Sequence, residues 1–473
     1  MPFNSFAFLI FLPLVFAIYW GPVRRSLSAQ NLFLLATSWF FYTWWDWRFL
    51  SLILISSLTD FIIGLRMASV GSDRARAMLM WLSIAVNIGI LGAFKYLDFF
   101  IVEFAGLLRG FGFEPHMEAL GLILPVGISF YTFQTLSYTI DIKRGQLQPT
   151  RDLVAFLAFV SFFPQLAAGP IERAANLLRQ FTSPRLFDSD AARDGLRQML
   201  WGLFKKVVIA DGCAPIVDRI FDLDPGSASG ATLFFGAFFF AFQIYGDFSG
   251  YSDMAIGMAR LFGFRLSRNF AYPYFSRSIG EFWRRWHITL STWFRDYVYI
   301  PLGGSRSPKS RLRNVMLTFV VSGLWHGANW TFVSWGALHG LLHSPAIASK
   351  RKPSRDVPGI RDLPSMLITF LLVTLAWVFF RSPSLSEACA YLSAMAMHMH
   401  WSPGSALLYL LRPEMLLIVL LIAVEWRSRR KLHPLESLPF PAPGRWTIYV
   451  LLIAAILIRV DLHGTHEFIY FQF

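Results

Sequence analysis

Residues 281–343 read EFWRRWHITLSTWFRDYVYIPLGGSRSPKSRLRNVMLTFVVSGLWHGANWTFVSWGALHGLLH, and this stretch decides the fold. Positions 315–342 form an apolar run whose only ionisable side chains are His326 and His339. An ionisable group at membrane depth is costly and is by default a candidate for function. Basic clusters bracket the run, with Arg306, Lys309, Arg311 and Arg313 before it and residues 350–361 after it. The positive-inside rule puts both flanks in the cytoplasm. The run therefore predicts a hairpin, or a pair of broken helices, that enters the membrane and returns with His326 partway across. On one continuous helix His339 would be rotated about 220° from His326.

Composition agrees with a membrane reading of the whole chain. The 473 residues are 55% hydrophobic, 17% aromatic and only 15% charged, with a mean hydropathy of +0.48. This excludes an ordinary soluble domain and predicts an all-α polytopic membrane protein with the lipid bilayer as solvent. Lys and Arg outnumber Asp and Glu 43 to 29. The basic residues fall in short clusters between apolar runs, as cytoplasmic loops do, so no nucleic acid is expected as partner. Cys213 and Cys389 form neither a disulfide framework nor a metal motif.

Outward from the central stretch, the first apolar segment lacks a basic n-region and a cleavage site, so it is expected to be a retained span. Arg24 and Arg25 follow it, which places the amino terminus outside the cytoplasm. Residues 31–45 and 49–65 read as spans, and residues 77–108 as about two further apolar segments. Pro125 and Gly127 interrupt the next segment, as is tolerated at membrane depth only where backbone is buried or lines a cavity. Residues 162–197 look like loop plus interfacial helix. Spans are also expected over 366–380, 406–425 and 446–457, which leaves residues 459–473 outside. No period of 20 to 50 residues repeats.

Four groups of polar residues stand out. Asp247 and Asp253, among Phe, Tyr, Gly and Met, should pair with an arginine such as Arg260, Arg284 or Arg285, or else orient a cofactor or a catalytic histidine. Residues 281–295 read as one amphipathic helix carrying Arg284, Arg285 and His287. Gly303, Gly304 and Arg306 form a basic loop, by default solvated, that could also meet the phosphates of a nucleotide-containing donor. His339 and His343, at i and i+4, could ligate a metal, but no third or fourth ligand is evident and no metal is expected.

The motifs FWRRWHITLSTWFRDYVYIPLGG and SGLWHGANWTFVSWGALHG, with QLAAGPIER, YGDFSGYSDMAIG, the opening FNSFAFLIFLPLVF and the closing FIYFQF, resemble the membrane-bound O-acyltransferases. The resemblance covers essentially the whole chain. It is strongest to the bacterial branch that acylates alginate, peptidoglycan, cellulose and teichoic acid. It implies one membrane domain with a central catalytic funnel and about ten to thirteen transmembrane or re-entrant helices. Within it, residues 1–160 would form amino-terminal helices, 161–346 the catalytic core, 347–458 carboxy-terminal helices and 459–473 an extracytoplasmic tail. The protein would be a multi-pass protein of the bacterial inner membrane, with both termini extracytoplasmic. By the same resemblance His326 corresponds to the family's catalytic histidine and His287 to the second recurrent histidine of this branch. Tyr470 occupies the place of a tyrosine that relays acyl groups in related systems. The donor would be cytoplasmic acetyl-CoA, with no bound cofactor. An extracytoplasmic acetyltransferase partner would finish transfer to a polysaccharide.

The chemistry fits those residue types. Acyl transfer needs a nucleophile, a base and groups that stabilise the tetrahedral oxyanion. Histidine exchanges protons near neutral pH. Arg284, Arg285, Trp325, Asn329, Gly303, Gly304 and Arg306 are the candidates for donor binding or oxyanion support. Within the enzyme class, acylation of peptidoglycan, cellulose, a lipid or a protein is the alternative. Outside it, a transporter would move substrate without releasing CoA and usually shows internal symmetry, and an assembly scaffold would not need His326.

Overall fold

The computed structural model describes residues 1–166, 169–306, 308–348, 357–398, 403–460 and 468–469, and all regular structure among them is helical. Two compact units arise, one from Met1–Arg193 with Met258–Ser267 and one from Asp194–Gly257 with Arg268–Phe473. Five helices are long and apolar enough to cross a membrane: Trp47–Ser69, Asp73–Gly110, Gly230–Leu261, Ile360–Arg381 and Ala442–Arg459. Phe6–Trp20 and Leu153–Leu166 are apolar but shorter. With these helices the chain is an all-α polytopic membrane protein.

The first unit is held by a polar clasp between three helices. Asp60, fully buried on Leu50–Ser69, accepts hydrogen bonds from Ser83 Oγ at 2.6 Å and Asn87 Nδ2 at 2.9 Å. Ser83 meets Thr139 of Ile128–Lys143 at 2.9 Å, and Asn87 Oδ1 accepts from Ser56 at 2.5 Å. Lipid tails are as apolar as leucine, so such contacts and close backbone approach replace the hydrophobic effect between helices. Gly64 supplies the approach, since a Cβ there would stand 2.8 Å from the Tyr138 ring.

One expectation is corrected in this unit. Residues 77–108, read from sequence as about two apolar segments, lie in a single helix of 38 residues, Asp73–Gly110. Continuity is kept by a π turn at Gly92–Tyr96, which absorbs the misfit without breaking the axis. At 1.5 Å per residue the helix is about 57 Å long, well beyond the ~30 Å hydrocarbon core. The buried Glu172, in the loop before helix Ala174–Phe181, accepts the backbone N–H of Ser267. Burial pushes its carboxyl up to about 7.

The second unit is built on close helix crossings. Ser189–Phe204 continues through a π turn at Lys205–Ala210 into Asp211–Phe221. This element crosses Gly230–Leu261 on a stripe of glycines. A Cβ on Gly250 would lie 2.7 Å from the Gly202 carbonyl oxygen, and one on Gly246 2.9 Å from that of Lys205. The close crossing carries Lys205 and Lys206 into the interior. Lys205 Nζ lies 2.7 Å from Asp253 and 2.8 Å from Ser249 Oγ, and Lys206 Nζ lies 2.9 Å from Asp247 and 2.7 Å from Asp211. The two aspartates therefore pair with lysines and not with Arg260, Arg284 or Arg285. The glycine crossing selects the partner, and no local pattern around the aspartates reports it.

The stretch carrying His326 forms two helices, Pro308–His326 and Trp330–Ala348, as its charge pattern led one to expect. Asn329 ends the break by capping the second helix, its Oδ1 accepting the Thr331 N–H at 3.0 Å. The two helices touch backbone to backbone where a Cβ on Gly323 would lie 3.2 Å from Gly336 Cα and collide with the Phe332 carbonyl. Forcing extra methyl groups into such a contact costs about 1–3 kcal/mol. Gly323→Val should therefore lower the thermal midpoint of the detergent-solubilised protein by several degrees, whereas Val321→Leu on the exposed side of the same helix should not; equal midpoints would show that the crossing is not tight.

Candidate functional site

His326 is the last residue of its helix and is 3% exposed. Aromatic rings surround it, with centroids of Trp325 at 4.9 Å, Trp335 at 5.0 Å and Phe380 at 5.4 Å. The indole N–H groups of Trp335 and Trp377 are buried with no hydrogen-bond partner among the described residues. The Trp335 and Trp377 rings stack at 5.6 Å. A buried donor left without a partner costs about 1–3 kcal/mol. Such donors at a histidine are suited to a bound acceptor, a carbonyl oxygen above all.

His287 sits in a break that the amphipathic pattern of residues 281–295 did not announce. In place of one helix there are Ile279–Phe282 and Ile288–Phe294, with His287 between them at φ +42° and ψ +55°. A non-glycine residue in this left-handed region is strained and must be held by its surroundings. Asn269 does the holding. Its carbonyl accepts the Ile288 N–H at 2.9 Å, and its Oδ1 accepts the Thr289 hydroxyl at 2.9 Å and the Thr289 N–H at 3.3 Å. The same Oδ1 lies 3.1 Å from His287 Nδ1, and Asn269 Nδ2 reaches Ser252 Oγ at 3.2 Å.

These bonds fix a tautomer. The Thr289 N–H can only donate, so the Asn269 atom facing it is the oxygen. That oxygen cannot donate to the imidazole, so Nδ1 must carry the proton and the lone pair falls on Nε2. His287 is thus set as a base at Nε2 by a residue 18 positions away in sequence. Asn269 was not among the residues singled out from sequence, because nothing in NFAYPYF marks it as a partner of His287.

Trp325 joins the two histidines, its ring 6.2 Å from His287 and 4.9 Å from His326. Phe248 packs edge-on against His287 at 4.6 Å. Beyond Phe248 lies the described part of the carboxyl end. Phe468 is 1% exposed and contacts Phe248 at 5.7 Å and Tyr251 at 4.5 Å. The Ile469 N–H donates to Asp247 Oδ2 at 2.7 Å. Tyr470 itself lies outside the described residues.

The other candidate residues have local duties. Arg285 is bound to Glu281 at 2.9 Å and to the Ala271 carbonyl at 3.1 Å, and Glu281 also takes Arg277 at 2.8 Å. Arg284 and Arg306 are exposed. Asn329, besides capping its helix, donates to the Pro383 carbonyl at 2.9 Å. Gly303 and Gly304, at φ +106° and +55°, form the turn after the π stretch Arg295–Tyr299, and Asn314 clasps the Gly304 carbonyl at 3.0 Å. His339 Nδ1 accepts the Trp283 indole N–H at 3.2 Å, and His343 packs on Phe319 at 5.9 Å. Among the described residues no group of three or more His, Cys, Asp or Glu is placed to hold a metal ion.

The tautomer can be read directly. In protein labelled with 15N-histidine and held in lipid nanodiscs, His287 should show the shift of a protonated Nδ1 and an unprotonated Nε2. Asn269→Leu should erase that preference, and Asn269→Asp, which keeps an acceptor, should retain it. A wild-type His287 protonated on Nε2 would contradict the assignment.

Comparison with known proteins places this geometry in a family. The membrane-bound O-acyltransferase family profile matches residues 146–351, a span that contains His287, His326 and Asn269. The chain is 39% identical to the probable alginate O-acetylase AlgI of Azotobacter vinelandii and 38% identical to that of Pseudomonas putida KT2440, over the full length of both partners in each case. It is 37% identical to the peptidoglycan O-acetyltransferase of Helicobacter pylori over 83% of this chain and 79% of that one. With identity of this level from end to end, the chain belongs to the membrane-bound O-acyltransferase family and is a membrane acyltransferase.

Proposed function

We propose that the protein takes acetyl from cytoplasmic acetyl-CoA and passes it through Tyr470 to an extracytoplasmic partner, which O-acetylates an alginate-like polysaccharide. The observation that carries this reading is the convergence of His326, His287 and the tail in one buried aromatic site. The two histidines share Trp325, and Phe468 packs on the phenylalanine that covers His287. The printed names of the relatives, an alginate O-acetylase and a peptidoglycan O-acetyltransferase, support an acetyl group and a surface polymer. The charge pattern supports the direction, with basic loops on the donor side and the tail on the acceptor side, in the inner membrane of a bacterium.

His326 acts as general base. It takes the phenolic proton of Tyr470 as the oxygen attacks the thioester carbonyl of acetyl-CoA. The tetrahedral oxyanion collapses, the C–S bond breaks, and the thiolate leaves with the proton held by the imidazolium, giving CoA and an aryl acetate. A phenol of pKa about 10 facing an imidazole of about 6.5 makes full prior deprotonation cost about 5 kcal/mol, so proton removal accompanies attack. The aryl ester keeps a good leaving group and can acetylate a serine or sugar hydroxyl in the second half-reaction. The Trp335 indole N–H, next to His326, is suited to the oxyanion. His287, with Nε2 as acceptor, orients the substrate or supports His326.

His326→Ala at unchanged protein level should abolish polymer acetylation; persisting acetylation would remove His326 from the mechanism. After incubation with labelled acetyl-CoA, mass spectrometry should find label on the carboxyl-terminal peptide of the wild type and not of Tyr470→Phe. Normal turnover with an unlabelled tail would refute the relay. Acetate released by mild alkali from each surface polymer of a deletion strain identifies the acceptor, and loss from peptidoglycan instead of an alginate-like polymer would reassign it.

A further inference from the structure

Asp247 is on the long helix Gly230–Leu261, and its two carboxylate oxygens have different partners. Oδ1 lies 2.9 Å from the Lys206 ammonium, which is 1% exposed and also 2.7 Å from Asp211. Oδ2 accepts the Ile469 backbone N–H at 2.7 Å. One turn further along the helix Tyr251 shares the Lys206 neighbour, with Nζ 5.8 Å from its ring centroid, and packs on Phe468 at 4.5 Å. Phe248, between these two positions in sequence, touches Phe468 at 5.7 Å and His287 at 4.6 Å. One helix face, with the Lys206 cation of the neighbouring π turn beside it, thus offers a charged acceptor and two rings to a two-residue piece of the carboxyl end.

The geometry points to a built docking site for the chain's own tail, in which Asp247 is a positioning residue: it holds Ile469 by its backbone, one residue before the proposed carrier Tyr470 in sequence. This rests on the reading of Tyr470 as acyl carrier; the docking itself does not.

Three features argue for docking over incidental packing. The hydrogen bond is charge-assisted, of the stronger kind. It is made to backbone, so it fixes the register of the tail whatever side chain stands at 469. Both oxygens of Asp247 face donors, a pattern an amide cannot match. In one orientation the NH2 of an asparagine would face the Lys206 ammonium, and in the other the Ile469 N–H.

Asp247→Asn also strips Lys206 of a counter-ion inside the bundle, so the decisive variant is Ile469→Pro. It removes the one N–H that Asp247 accepts and leaves Asp247, Lys206 and Asp211 in place. Ile469→Val is its control, with the N–H retained. Detergent-solubilised full-length protein is treated with a carboxypeptidase, and release of Phe471 is timed by mass spectrometry. A parallel sample receives labelled acetyl-CoA and is assayed for label on the tail. Ile469→Pro should release Phe471 on the order of tenfold faster than wild type, from the loss of one charge-assisted hydrogen bond. It should also lose acetyl label to a similar degree. Ile469→Val should match wild type in both assays. Equal protection of the Pro and Val variants would overturn the docking. Faster release in Ile469→Pro with no label on the wild-type tail would uphold the docking and overturn the relay.

Discussion

The Lys206–Asp247 ion pair is the contact on which the second unit's chemistry depends. Two charges taken out of water cost several kcal/mol each, recovered only with good geometry and further hydrogen bonds, while removing one partner of such a pair typically costs about 3–5 kcal/mol. Here the further bonds come from Asp211 and from the Ile469 N–H. The arrangement requires the glycine-lined crossing of Gly230–Leu261 with the element that carries both lysines, since any larger side chain at Gly202 or Gly250 would push Lys206 away from Asp247. A packing constraint at glycine therefore sets where charge can be buried, and the buried charge sets where the chain end can bind.

A second constraint operates at the histidines. His326 terminates a helix because Gly327, Ala328 and Asn329 break the apolar run, and Asn329 restarts it as a cap. His287 breaks the other segment in a left-handed conformation that Asn269 supports from three donors and its own carbonyl. Both histidines thus stand at interruptions of helices and not within them. Backbone irregularity at membrane depth is tolerated only where protein or a cavity replaces the missing hydrogen bonds. Here it lets two imidazoles reach the same tryptophan from separate segments.

The helical membrane architecture was legible from composition and apolar runs, and the hairpin at His326 from its two basic flanks. His287 and His326 were legible as candidates, by residue type and motif. What the sequence did not disclose has a common cause, namely that it depends on contacts between distant positions. Asp247 pairs with Lys206 and not an arginine because glycines in two helices meet. Asn269 governs His287 through a loop, and the break at His287 carries no glycine or proline to announce it. The 38-residue helix Asp73–Gly110 was read as two because its π turn leaves no signature beyond one glycine and one lysine. Arg285 was a candidate for donor binding or oxyanion support, and the fold pairs it with Glu281 at 2.9 Å.

On the proposed relay, the aromatic enclosure suits both an acyl carrier and a buried base. An aryl acetate is activated toward any nucleophile, and water at its full concentration would compete with the intended acceptor. Excluding water protects the ester and strengthens each hydrogen bond made to the developing oxyanion. The same exclusion would strand an ordinary charged catalyst, since a permanent cation there would need its own counter-ion. In the proposed relay a neutral imidazole avoids this, being charged only between taking the phenolic proton and giving it to the leaving thiolate. Lys206, Asp247 and Asp211 form a buried charged cluster in which Asp247 Oδ2 accepts the tail backbone. In the proposed relay, buried charge thus holds the tail, and the aromatic site around the histidines carries the reaction.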